Sequence, residues 1–324
     1  MSMVVPGIKP LISQALRVRG RSCYSVQAGR EFKANTIHDI HEKYCRGAPL
    51  SMCTAYDYIT ANWVHDSNCD MLLVGDSLSM TSLGYESTTD LPFEEFKYHL
   101  RSVCRARGPA LIVADMPYGS FEASLEQGIS NSIEVMKLSS RVTSLKFEVG
   151  LHTKDQYTLN LVRELTSRGI PVVGHIGLTP QKVHSLGGYK VQGNKSLNEM
   201  IELQETAMML QKAGCWSLVL ECVPHKLAQY LTSQLSIPTI GIGAGSGTSG
   251  QVLVISDLLG MQGSNVPKFV KQYTNLHEEA VRAIKGYNAE VQEKNFPNQD
   301  LHTFKIKESL WKNFMEEIED QPRH

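Results

Sequence analysis

After residue 35 the chain alternates short apolar runs with longer amphipathic segments, eight times over, and few folds accommodate that alternation. The runs are Leu50–Thr54, Met71–Val74, Ala110–Ala114, Ser144–Val149, Pro171–His175, Ser217–Leu220, Pro238–Ile242 and Val252–Ile255. Most are nearly apolar throughout, as parallel strands buried on both faces are. Between them, Tyr58–Ser67, Pro92–Arg107, Phe121–Ser140, Lys154–Arg168, Leu197–Ala213 and Pro224–Gln234 carry helical patterning. The gap between the seventh and eighth runs is too short for a full helix. Eight strands over about 210 residues predict an α/β fold, a (β/α)₈ TIM barrel. The alternative is an open, doubly wound sheet. From Val266 onward the chain reads as additional C-terminal helices outside the barrel, with Leu310, Phe314 and Ile318 spaced four apart in a charged helical tail over 305–324.

Composition narrows the function. Hydrophobic residues make up 42% and charged residues 20% of 324, enough for a sizeable core. The net charge is -1 and no basic stripe stands out, so no nucleic-acid surface is expected. No uninterrupted apolar run reaches about 18 residues, so no membrane span is expected. The seven cysteines are odd in number and include no Cys-x-x-Cys pair; they read as free thiols in a reducing compartment.

The first thirty residues have no Asp or Glu but carry Lys9, Arg17, Arg19, Arg21 and Arg30 among serines. Leu11, Ile12, Ala15, Leu16 and Val18 can line one face of an arginine-rich helix. That is the composition of a mitochondrial presequence, and a merely basic lead is the alternative. The expected organisation is a presequence and lead over 1–35, a catalytic barrel with its C-terminal helices over 36–304, and the tail.

The polar residues cluster at strand ends. Asp76 and Ser77 follow the second run, Asp115 the third; Lys146 and Glu148 lie on the fourth; His175 ends the fifth and Glu221 the sixth. In a barrel those ends face one mouth, where active sites form. Charged groups there are costly unless paired, hydrated or bound to metal. Asp76, Asp115 and Glu148 can converge on one hard cation such as Mg²⁺, which prefers oxygen ligands and leaves positions for substrate. A 2-oxo acid fills two such positions, and the metal then stabilises the enolate formed when a base removes the neighbouring C–H proton. Glu221 is placed for that base. Taken singly, a carboxylate here reads first as a strand-end helix cap or salt bridge, and His175 as a hydrogen-bonded structural histidine; five such groups on consecutive strands turn the reading toward a site. Gly241-Ile-Gly-Ala-Gly-Ser-Gly247 lacks a dinucleotide fingerprint and reads as a tight turn, with a phosphate cradle as the alternative. Leu186 to Gly193, a long connection with three glycines, is a lid or cofactor-loop candidate.

At these residues the sequence resembles the ketopantoate hydroxymethyltransferases. The matching motifs are Thr54-Ala-Tyr-Asp-Tyr58, Val74-Gly-Asp-Ser-Leu78, Ala114-Asp-Met-Pro117, Gly174-His-Ile-Gly-Leu-Thr-Pro180, Gly187-Gly-Tyr-Lys-Val-Gln-Gly193, Leu220-Glu-Cys-Val-Pro224, Ile240-Gly-Ile-Gly-Ala-Gly245 and Pro267-Lys-Phe269. They occur in order across about residues 36–305. The family's usual Lys-Ile-Glu-Gly-Gly reads Lys146-Phe-Glu-Val-Gly150, while every charged motif position is kept.

The resemblance implies a barrel of the phosphoenolpyruvate/pyruvate superfamily. It implies hydroxymethyl transfer from 5,10-methylenetetrahydrofolate, the co-substrate, to 3-methyl-2-oxobutanoate, giving ketopantoate on the route to pantothenate and coenzyme A. It implies Mg²⁺ or another divalent cation on Asp76 and Asp115 with Glu148 beside it, substrate contacts from Ser77, Lys146 and His175, and Glu221 as base. It also implies a homo-oligomer, often a decamer. A metal-dependent C–C lyase or mutase on a similar barrel would share the metal site but commonly uses a cysteine in a mobile loop, and none follows the third to fifth strands. A barrel serving only as a scaffold would have lost a strand-end charge, and none is missing.

Overall fold

The computed structural model describes residues 33–151, 153–263 and 266–319. The expected presequence lies outside them. The first helix, α1 (Ile37–Cys45), opens on a capping box in which Thr36 and Asp39 satisfy each other's backbone N–H groups. All eight expected strands form: β1 (Leu50–Thr54), β2 (Met71–Val74), β3 (Leu111–Asp115), β4 (Val142–Glu148), β5 (Val172–Gly177), β6 (Ser217–Glu221), β7 (Thr239–Ile242) and β8 (Gly250–Leu253). Neighbours pair in parallel in sequence order, and β8 closes on β1. Closure excludes the open doubly wound sheet, since that arrangement would leave two unpaired edges.

The connecting helices match the amphipathic segments. They are α2 (Tyr58–Asp66), the one-turn α3 (Leu78–Thr81), α4 (Phe93–Cys104), α5 (Leu125–Lys137), α6 (Gln156–Ser167), the one-turn α7 (Val183–Leu186), α8 (Leu197–Lys212) and α9 (His225–Gln234). Helix α5 starts four residues later than its apolar pattern predicts. The Ser124 side chain accepts from Gln127 N–H there, a cap that outweighs the apolar Phe121 upstream. No helix forms between β7 and β8, as expected. Strand β8 begins two residues early and ends before Ile255, because Ile255 starts the one-turn α10 (Ile255–Leu258). Helices α11 (Leu276–Gln292) and α12 (Glu308–Glu319) follow and bury none of their residues.

Two cores result from the period-two alternation of strand side chains. One set points outward to the helices and includes Leu72, Ile112, Leu145, Phe147, Val172 and Leu218. The other fills the barrel: Leu50, Met52, Met71, Leu73, Leu111, Val113, Val173, Val219, Ile240 and Val252, with Ile40 of α1 packed among them. No described helix is long and apolar enough to cross a membrane. The described cysteines are all free thiols; Cys23 lies outside the described residues.

Candidate active site

The inner set of side chains, continued by two residues along each strand, becomes polar. Met52 leads to Thr54, Val113 to Asp115, Val173 to His175 and Val219 to Glu221; on β4, Ser144 leads to Lys146 and then Glu148. Lys146 pairs in register with Asp115, and Glu148 with His175. Thr54, Asp115, Lys146, Glu148, His175 and Glu221 line one cavity of about 580 Å³ at the C-terminal ends of the strands, joined there by Asp76 and Ser77. Every sequence-predicted site residue is therefore in one place. Asp76, Asp115, Lys146, Glu148 and His175 are buried, and Glu221 is the most exposed of the charged set.

The side chains are linked across four strands. Lys146 Nζ lies 2.7 Å from Asp115 Oδ1 and 3.1 Å from His175 Nδ1. His175 Nε2 lies 3.3 Å from Glu221 Oε2, and Nδ1 lies 3.6 Å from Glu148 Oε1. Asp76 N–H donates to Asp115 Oδ2 at 3.2 Å. The base candidate on β6 is thus connected through an imidazole and an ammonium to the acid on β3.

The profile of the family described as ketopantoate hydroxymethyltransferase matches residues 34–299. The chain is 64% identical over 289 residues to the 3-methyl-2-oxobutanoate hydroxymethyltransferase of Saccharomyces cerevisiae, covering 89% of this chain and 93% of that one. The chain belongs to the ketopantoate hydroxymethyltransferase family. It is 39% identical to the enzyme of the same name from Emericella nidulans, over 95% of this chain and 86% of that one. By shape the barrel is similar to a phosphonopyruvate hydrolase, at 10% identity and a TM-score of 0.53, covering 88% of this chain and 97% of that one. It is likewise similar to 2,3-dimethylmalate lyase, a member of the PEP mutase/isocitrate lyase superfamily (10% identity, TM-score 0.52, 86% of this chain, 98% of that one).

In this hydroxymethyltransferase four carboxylates and one ammonium share the mouth, and burial sets their protonation. Burial pushes Asp115 up to about 8; the Lys146 charge opposes this and the Asp76 charge adds to it. Glu148 is pushed well above the usual range by burial and by Asp76. Glu221 is raised to about 8 by burial, against the pull of Lys146. Burial alone would discharge Lys146, but Asp115, Glu148 and Asp76 together outweigh it and raise its pKa. His175 is held well below its ordinary value by burial and by Lys146, so its ring is neutral.

Among the described residues no three His, Cys, Asp or Glu side chains stand close enough together to hold one metal ion as placed. The three carboxylates expected to meet at a cation share the cavity but not a single point. Gln181 is the reason for part of this. Its Nε2 donates to Asp76 Oδ2 at 2.9 Å and to the Met116 carbonyl at 2.9 Å, while its backbone N–H donates to Glu148 Oε2 at 2.9 Å. The donor chemistry still fits a hard divalent cation. The oxygens are carboxylates, burial and mutual repulsion hold three of them above their ordinary pKa, a shift that a nearby cation would reverse, and Asp115 Oδ1 and Glu148 Oε1 are buried without an aligned hydrogen bond.

Sequence reading missed three residues. Gln181 directly follows the Gly174–Pro180 motif, and its position after a strand-end motif was the available signal. Thr54 and Tyr56 lie within a motif already noted, without a role. Thr54 Oγ donates to the Tyr56 hydroxyl at 2.9 Å, which in turn stands 2.8 Å from Ser77 Oγ. Either hydroxyl can donate in the second contact, and the chain of hydroxyls holds the Ser77 side chain at the cavity wall. Gly177 matters for a different reason. Its φ is +97°, and a Cβ there would stand 2.2 Å from the Glu221 carbonyl oxygen. The Leu186–Gly193 connection reaches toward α3, where the Tyr189 hydroxyl stands 3.8 Å from Met80 Sδ.

Proposed function

We propose that this protein transfers a hydroxymethyl group from 5,10-methylenetetrahydrofolate to 3-methyl-2-oxobutanoate, giving 2-dehydropantoate in pantothenate biosynthesis. The observation that carries the reading is the convergence of Asp76, Ser77, Asp115, Lys146, Glu148, His175 and Glu221 on one cavity. The names of the relatives support the keto-acid acceptor. A divalent cation held by Asp76 and Asp115, with Glu148 beside it, would supply Lewis acidity to the keto and carboxylate oxygens and make the adjacent C–H acidic.

The chain's own groups do the rest. Lys146, charged and buried, and the Ser77 hydroxyl hold the substrate carboxylate and keto oxygen. Glu221 takes the C3 proton, and His175 offers its Nε2–H on the same side. The methylene carbon starts bonded to both N5 and N10 of the folate; both bonds break, one new bond forms to the enolate carbon and one to a water oxygen, and the proton taken from C3 and the proton released by water go to the two nitrogens. Tetrahydrofolate leaves, and the atoms balance. The burial of Lys146 and His175 keeps bulk water from competing for these oxygens.

The exposed Ile284 and Tyr287 of α11 support assembly as a homo-oligomer, for which we adopt the family's decamer. The presequence composition supports a mitochondrial location. The deciding experiment incubates the protein with both substrates, with and without Mg²⁺, and measures ketopantoate by mass. Metal-dependent product is expected; no product in either arm would overturn the reading.

A further inference from the structure

The cavity is larger than its charged floor. At about 580 Å³ it falls in the range that takes a drug-sized ligand rather than a five-carbon acid alone. The acids on β2, β3 and β4 occupy one side. The walls that extend beyond Glu221 come from the ends of β7 and β8 and the segment that follows, and they differ in character. Phe269 lies there with its ring against Gly243; a Cβ on that glycine would come within 3.0 Å of the ring. With φ at +63° and no side chain, Gly243 leaves the seat that the ring occupies. Asp257, on α10, also lines the cavity. It is half-buried, and among the described residues its carboxylate has no hydrogen-bond or ion-pair partner. Neither residue is needed to enolise a keto acid.

A half-buried carboxylate without a partner, facing a cavity with an aromatic wall, calls for a flat ligand that presents donors along one edge. An ionised Asp only accepts, through two oxygens side by side. The pteridine ring of a reduced folate carries an N–H and an exocyclic amino group side by side on its pyrimidine edge, and a flat face for stacking. We propose that Asp257 is the specificity-determining residue for the one-carbon donor, accepting both of those hydrogens, with Phe269 packing against the ring. This rests on the folate-donor reading above. The pairing would hold the donor at the β7–β8 side of the mouth, next to the base on β6, so that its methylene carbon meets the enolate over Glu221.

The test measures tetrahydrofolate binding by titration calorimetry, and KM for methylenetetrahydrofolate, in wild type, Asp257→Asn and Asp257→Ala. Deuterium exchange at C3 of the keto acid without folate is followed in parallel. Both variants are expected to weaken folate binding and raise its KM on the order of 10-fold to 100-fold, as for a lost charge-assisted hydrogen bond. Exchange should stay within about twofold of wild type. A 2-desamino-2-methyl analogue of tetrahydrofolate should lose a similar factor in wild type and nothing further in Asp257→Ala, which a merely structural role would not produce. Folate bound equally by wild type and variants overturns the site alone. No tetrahydrofolate binding by wild type overturns the site together with the folate reading. Exchange lost in step with folate affinity also overturns it, because Asp257 would then be supporting the whole mouth.

Discussion

Lys146 Nζ lies 3.1 Å from His175 Nδ1, and that contact fixes the imidazole tautomer. An ammonium only donates, so Nδ1 accepts and the neutral ring carries its proton on Nε2, which faces Glu221 Oε2 at 3.3 Å. The base therefore sits beside a neutral donor rather than a second cation. The one fixed positive charge stays on Lys146, against Asp115.

Glu221→Gln should bind the keto acid but lose C3 deuterium exchange by about 100-fold to 10,000-fold, the usual worth of a general base. The group works as a carboxylate, and burial raises its pKa to about 8. Exchange in the wild type should therefore climb with pH up to about 8 and level off above. A profile flat between about pH 6 and 9 would assign the proton to another residue.

Asp76→Ala and Asp115→Ala should each abolish the heat of Mg²⁺ binding measured with keto acid present. Asp115 also neutralises buried Lys146, so its removal should cost about 3–5 kcal/mol of stability. Asp115→Asn, which keeps the shape, separates the two effects. Wild-type Mg²⁺ affinity in any of these variants would remove the aspartates from the metal site.

Gly177→Ala should fail locally. Its backbone is in the left-handed region, and the new methyl would meet the Glu221 carbonyl at 2.2 Å. The expected cost is about 1–3 kcal/mol, with kcat reduced more than substrate affinity because Glu221 is displaced. Thermal denaturation and steady-state kinetics together check this; unchanged kcat would show that Glu221 is positioned independently of β5.

His65 is buried, and its Nδ1 accepts from Ala110 N–H at 3.2 Å. Burial, helped by Arg141, lowers its pKa from 6.5 to about 4. The folded state therefore resists protonating it more than the unfolded chain does. Stability is intact above about pH 6.5 and is lost as pH falls toward 4. His65→Asn keeps an acceptor for Ala110 and should flatten this acid slope, by an amount on the order of 5 °C in Tm across the window. Equal slopes in both proteins would place the acid sensitivity elsewhere.

Legibility was uneven, for physical reasons. Strands β1 and β2 were readable to the residue: Met71–Val74 is apolar throughout and stands between Asp70 and Gly75, and Leu50–Thr54 begins directly after Pro49, which cannot donate to a sheet ladder. The starts of α5 and β8 were not. A Ser124 cap sets the first. Pairing of Gly250 with Leu50 and Ile240 sets the second, and both depend on partners that a one-dimensional pattern does not contain.

By itself, the sequence determined which residues could do chemistry. Period-two alternation sends Lys146 and Glu148 to one face, and the apolar runs preceding Asp115, His175 and Glu221 place each at a strand end. Tertiary structure alone decided how these groups meet. Barrel closure and strand register put Lys146 beside Asp115 and Glu148 beside His175. Gln181, more than a hundred positions from Asp76 along the chain, reached its carboxylate only through that closure. Contacts of that kind arise from the shear of a closed sheet, a property of all eight strands together that no local run encodes.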